Sequence, residues 1–110
     1  MLIQPISDQL IPQCLALEVA AEQRKHNKSV AEIFALAYVH QDFLRAFLLE
    51  GPPSVVVGMA SYFNNAFRGY GHWISEFFID RRFQCQGLGT EAFGLLLSEI
   101  RVIADHRIVV

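Results

Sequence analysis

The chain has 110 residues, enough for one domain with its own core and too few for two. Apolar and aromatic residues make up 53% of it before its seven glycines are counted, against roughly 45–50% with glycine in an average soluble domain. The surface is therefore expected to be apolar or partly covered by a partner. Nine basic residues against eleven acidic ones give a net charge of −2. No basic stripe exists beyond Arg24-Lys25-His26-Asn27-Lys28, which argues against nucleic acid and suits a cationic small molecule. Cys14 and Cys85 match no metal or redox spacing and read as free thiols in a reducing compartment. The start Met1 to Pro5 lacks the charged segment and apolar run of a signal peptide, and no stretch reaches about 18 apolar residues. A soluble cytoplasmic protein without membrane or metal is expected.

In chain order, Leu2 to Ile6 predicts a short strand, ended by Ser7-Asp8. A helix to about Arg24 follows from Leu10, Cys14, Leu17 and Ala21 at spacings of three and four, with Pro12 marking its first turn. Ser29-Val30-Ala31-Glu32 is a capping box opening a second helix with Ile33, Phe34 and Ala37 inward, so Lys25 to Lys28 form a polar elbow. Phe43 to Glu50 reads as a strand, Gly51-Pro52-Pro53-Ser54 as a turn and Val55 to Phe63 as the next strand. Asn64-Asn65, Gly69 and Gly71 mark a loop before a nearly all-apolar strand, His72 to Asp80. These three strands predict an antiparallel meander. Phe93, Leu96, Leu97, Ile100 and Ile103 then recur along a helix, and Arg107 to Val110 begins a last strand.

The segment from Ile79 to Thr90 joins a buried strand to that helix through a loop with Gly87 and Gly89. Phosphate oxygens need convergent N–H donors, and the free amides of a first helical turn supply them with the positive end of the dipole. The amides of Gln84, Cys85, Gln86, Gly87, Leu88, Gly89 and Thr90 are the natural cradle, although the bare pattern also suits a helix start that binds nothing. A Walker loop is excluded, because Gly89 is followed by Thr90-Glu91 where Lys then Ser or Thr is required. Gly87 to Ala92 fits the loose dinucleotide fingerprint, but polar residues separate strand from glycine and the preceding strands read as a meander, so that reading ranks lower.

Gln84, Gly87 and Gly89, with Phe83 before them, resemble motif A of the Gcn5-related N-acetyltransferases (GNAT), whose pattern is Arg or Gln, two residues, Gly, one residue, then Gly or Ala. The order of elements resembles that family over essentially the whole chain. Glu76-Phe77-Phe78-Ile79 with Phe83-Gln84, and Leu17-Glu18-Val19 with Glu22-Gln23, are most similar to the spermidine/spermine-type small-amine acetyltransferases. The resemblance implies an α+β fold with a mixed, mainly antiparallel sheet flanked by helices. It also implies acetyl-CoA as co-substrate and a small amine, polyamines included, as acceptor. Backbone at Phe78, Ile79 and Asp80 is then expected to pair with the pantetheine arm, leaving the thioester near Glu76, the candidate base.

Amine acetylation needs an unprotonated nitrogen held close to the thioester. Glu76 can take that proton; it can equally be a solvent-facing strand residue. His72 and Trp73 flank it, and a loop-side His is more often surface and a strand Trp more often core. Glu18 and Glu22 can attract a polyamine or simply line a solvated face. Tyr62 and Tyr70 are the nearest phenols, neither in the family's usual place, and Cys85 stands where the family commonly has glycine. Family members continue past the strand at Arg107 to Val110 into a further helix, which usually carries the acid tyrosine, and two strands. The sequence shows neither, which keeps open an acyl-CoA-binding or dimerisation module without turnover. An uncovered last strand would also favour a homodimer by edge pairing.

Overall fold

Apolar strands buried on both faces build the fold around one sheet. The structure is a computed structural model that describes residues 1–19, 28–63, 72–103 and 108–109. Its elements run β1 (Leu2–Pro5), α1 (Ile11–Leu15), α2 (Val30–His40), β2 (Phe43–Leu49), β3 (Val55–Phe63), β4 (His72–Ile79), a 3₁₀ turn (Arg81–Phe83), α3 (Leu88–Ile103) and β5 (Ile108–Val109). The sheet order is β1-β2-β3-β4-β5. The first four strands are antiparallel neighbours, and β5 pairs parallel to β4, among the described residues at His72 and Trp73. The meander and the α+β architecture expected from the sequence are thus present.

Each face of the sheet has its own core. One face carries Ala46, Leu48, Val56, Met59 and Phe78 against Leu10, Cys14 and Leu17 of the α1 segment and Val30 and Ile33 of α2. The other carries Phe47, Val57, Ala60, Tyr62 and Ile79 against Ala92, Leu96 and Ile100 of α3. The spacing of four between the last three places them on one stripe of the helix. Burial pushes the Cys14 thiol up to about 11, so it is an inert core residue.

The capping box opens α2 as expected, with the Ser29 hydroxyl accepting from the Glu32 amide at 3.2 Å. The first helix differs from expectation. It begins at Pro12's own turn, with no side-chain cap, and ends at Leu15. Residues 17–19 are not helical; Ala21, Glu22, Gln23 and the elbow at residues 24–27 lie outside the described residues, as do Asn64-Asn65, Gly69 to Gly71 and residues 104–107 and 110. The reason for the early end is tertiary. The Glu18 amide donates to Asp80 Oδ2 at 2.8 Å, and the Glu18 carbonyl accepts from the Arg81 amide at 2.8 Å. Helical continuation would have to forgo both bonds.

Two register irregularities shape the sheet. Phe47 faces Gly58 while Leu48 faces Val56, so Val57 is an extra residue in β3. Ser61 faces Glu76 while Tyr62 faces Ile74, so Ser75 is an extra residue in β4. Beside the first bulge the backbones of β3 and β4 come very close. A Cβ on Gly58 would lie 2.4 Å from the Phe78 carbonyl oxygen, so only glycine fits there.

Candidate functional site

The end of β4 is held by a buried carboxylate. Asp80 is fully buried. Its oxygens accept from the Glu18 amide at 2.8 Å, the Arg82 amide at 2.8 Å, and Arg82 Nε and Nη2 at 2.8 and 3.2 Å. Burial alone would raise its pKa; the bonds from Arg82 and the two amides outweigh that and hold it below the ordinary carboxylate value. The Asp80 amide donates to the Val57 carbonyl at 2.7 Å, and its carbonyl accepts from the Phe83 amide at 2.9 Å. Arg81 Nε pairs with the Glu18 carboxylate. The chain therefore leaves β4 along a fixed path, with all hydrogen-bonding groups of Asp80 turned inward.

Beyond the 3₁₀ turn, the Gln84 side chain donates to the Ile79 carbonyl at 3.2 Å and folds the loop back on the strand. Cys85 and Gly87 both take left-handed backbone, with φ of 63° and 77°. Glycine accepts this at no steric cost, whereas the Cβ of Cys85 makes it unfavourable by about 1–2 kcal/mol. The family pattern's glycine at the Cys85 position thus has a conformational reason. The Glu91 amide is bonded to the Gly87 carbonyl at 3.2 Å, so the amides of Leu88, Gly89 and Thr90 precede the first intrahelical bond and remain free to bind a ligand. A Cβ on Gly87 would meet nothing within 4 Å, and one on Gly89 only Ile79 Cγ1 at 3.8 Å. Protein packing leaves the space before these backbones empty.

That space is a cavity of about 240 Å³ lined by Phe77, Phe78, Ile79, Gln84, Cys85 and Gly89. Five of the six were expected site residues, brought together from strand and loop. Because the Asp80 amide bonds to β3 and antiparallel pairing alternates, the backbone groups of Phe78 also face β3, while those of Phe77 and Ile79 face the opposite edge. Along that edge β5 covers only His72 and Trp73 among the described residues. Phe77 joins the expected site residues as an edge residue. Gln86 and Thr90 are exposed at the rim, and Leu88 packs into the α3 face.

A second cavity, of about 380 Å³, lies on the α1/α2 face and is lined by Lys28, Ile33, Leu36, His40, Asp42, Ser61, Phe63, Trp73, Ser75 and Glu76. The β4 bulge creates it. Phe77, Ile79 and Ile74 belong to the α3 face, so unbroken alternation would send Glu76 and Trp73 to opposite faces; the extra Ser75 puts Trp73, Ser75, Glu76 and Phe78 all on the α1/α2 side. The Glu76 side chain is only 10% exposed and its Oε1 lies 3.4 Å from Lys28 Nζ. Trp73 stacks on Phe63 with centroids 6.0 Å apart and planes at 7°, yet stays 39% exposed. It is a wall of the cleft and not the core residue that a strand tryptophan usually is. The side chain of His72 lies outside the described residues.

Other candidates fall elsewhere. Glu18 is held by Arg81 and Asp80 at the end of β4, while Glu22 and Tyr70 lie outside the described residues. Tyr62 is buried on the α3 face, its hydroxyl donating to Glu99 Oε2 at 3.0 Å and accepting from Arg45 at 3.4 Å. Burial pushes its pKa up to about 12. Arg45 in turn bonds Glu99 at 2.7 Å and lies 5.7 Å from the ring centres of both Phe43 and Tyr62. Tyr62 is a structural phenol on the wrong face to meet Glu76. Among the described residues no cluster could hold a metal ion, and no helix is long and apolar enough to cross a membrane.

The family model described as the acetyltransferase (GNAT) family matches residues 12–108. No curated protein matches in sequence. Among solved structures, a ribosomal-protein-alanine N-acetyltransferase from Brucella melitensis is similar with a TM-score of 0.64 and 19% identity, over 98% of this chain and 72% of its own. An N-acetyltransferase from Staphylococcus aureus Mu50 gives 0.62 and 16%, over 97% and 70%. A Trypanosoma brucei acetyltransferase gives 0.60 and 20%, over 98% and 79%.

Proposed function

The chain belongs to the acetyltransferase (GNAT) family, and from that premise we propose that it transfers an acetyl group from acetyl-CoA to the nitrogen of a small amine. The observation that carries this reading is the junction of two clefts along β4. The phosphate turn and the Phe77–Ile79 edge line one, and Glu76, the residue before Phe77, lines the other. The amides of Gly87, Leu88, Gly89 and Thr90 would hold the pyrophosphate, and the edge-facing groups of Phe77 and Ile79 would bond the pantetheine arm. Bound acetyl-CoA supplies the thioester that serves as acyl donor.

Within the second cleft Glu76 would accept the proton of the acceptor ammonium at a carboxylate oxygen, freeing the nitrogen lone pair for attack. Lys28 now sits at that carboxylate and must yield it. Calorimetry with CoA and an acetyl-transfer assay over an amine panel test the reading. Gly87→Trp should abolish CoA binding while costing the fold only about 1–2 kcal/mol, since its Cβ has room and only the left-handed backbone is strained. Unchanged affinity in a folded variant would refute the cradle. A CoA-binding module without turnover is the second reading, supported by the lack of a tyrosine lining either cleft among the described residues. Tight CoA binding with no acetylated product from any amine would favour it.

A further inference from the structure

We infer that the acceptor cleft takes a monoamine carried on a flat apolar body, in preference to a polyamine; the inference rests on the transferase reading above. Glu76 with Lys28 forms a charged pole; His40 and Asp42 also line the cleft, each already engaged within the protein, and the rest of its wall is largely apolar. At the pole, the nearly buried Glu76 is already matched by an ammonium, Lys28 Nζ at 3.4 Å, on a side chain that is half exposed. An incoming ammonium can replace it with no net change of charge in the cleft, because Lys28 can withdraw its head into water. The apolar wall is made by the exposed face of Trp73 on Phe63, with Ile33 and Leu36 of α2 alongside.

A polyamine would bring a second and third ammonium, for which the cavity offers one further carboxylate, the already engaged Asp42; an ammonium left against the apolar wall loses water and gains only a ring face. An aryl body loses no charge hydration there and removes apolar area from water on both sides. The cavity of about 380 Å³ falls at the lower end of ordinary small-ligand sites, which suits a single ring with a short alkylamine.

Trp73 is the only tryptophan in the chain, so its fluorescence reports occupancy of this cleft without any turnover. The full chain, with CoA present, is titrated with 2-phenylethylamine, spermidine and 2-phenylethanol, which keeps the ring and lacks the ammonium. We expect a saturable change with phenylethylamine, at an affinity roughly tenfold or more above the other two. Lys28→Ala should tighten phenylethylamine severalfold, and Glu76→Gln should weaken it. Spermidine binding as tightly as phenylethylamine, no emission change with the arylamine, or an unchanged affinity in Lys28→Ala would overturn the inference. Its failure is separable from that of the transferase reading. Arylamine binding without acetylation would sink only the latter, whereas preferential acetylation of spermidine would sink only the former.

Discussion

The two faces of the sheet divide the work of the molecule. On the α3 face Phe77 packs edge-on between Phe47 and Phe93, and the Arg45–Glu99–Tyr62 cluster satisfies its own polar groups. On the α1/α2 face the core under Ile33 gives way to an open cleft whose charged and aromatic groups still present surface to a ligand. Polar residues that complete one another stabilise; polar residues left partly open can bind. One extra residue, Ser75, lets Glu76 and Trp73 share this face.

That division can be broken from either side. Glu76→Gln should lower acetyl transfer by about 10²–10⁴-fold while leaving CoA affinity and the thermal midpoint unchanged, as kinetics, calorimetry and melting would show. A parallel loss of CoA affinity would mean that the two clefts are not separate. Next in size is Asp80→Asn, which keeps the shape and removes the charge from a fully buried group; about 2 kcal/mol should be lost in urea unfolding. Because the folded Asp80 titrates below its unfolded value of about 3.9, its stabilisation is complete above that pH and disappears as pH falls through the lower folded value. The variant should therefore lose less stability than the parent on acidification below about pH 4.

On the closed face, Tyr62→Phe removes one partner of a part-buried carboxylate and should cost about 1 kcal/mol, with no effect on acetyl transfer. A large loss of activity would make Tyr62 functional after all. The smallest effect is a gain. Cys85→Gly relieves a left-handed backbone and should stabilise by up to about 1 kcal/mol, offset in part by the freer unfolded chain. A lower melting midpoint in that variant would contradict the strain assigned to Cys85.

Strand and helix positions were legible because turn residues, apolar runs and helical periods are local signals: β3 and the start of α2 fall where the Gly51–Ser54 turn and the Ser29 cap put them. The glycine-bearing turn was legible because positive φ and free amides are local demands. The first helix was misjudged because what ends it is Asp80, 62 residues away, and no local pattern announces that bond. The place of Trp73 was hidden for a similar reason, since nothing in a nearly all-apolar strand marks the bulge at Ser75.

By itself, then, the sequence determined the order of elements and the glycine-bearing turn, both of which depend on neighbours along the chain. Only the tertiary structure decided which side chains share a cleft. The bulge at Ser75 resets the alternation of β4, and the pairing of β3 with β4 places Ser61 and Phe63 beside Glu76 and Trp73. Register between strands is a long-range property, fixed by which hydrophobic sets can be buried together, and it turned a nearly apolar strand into the wall of a cleft.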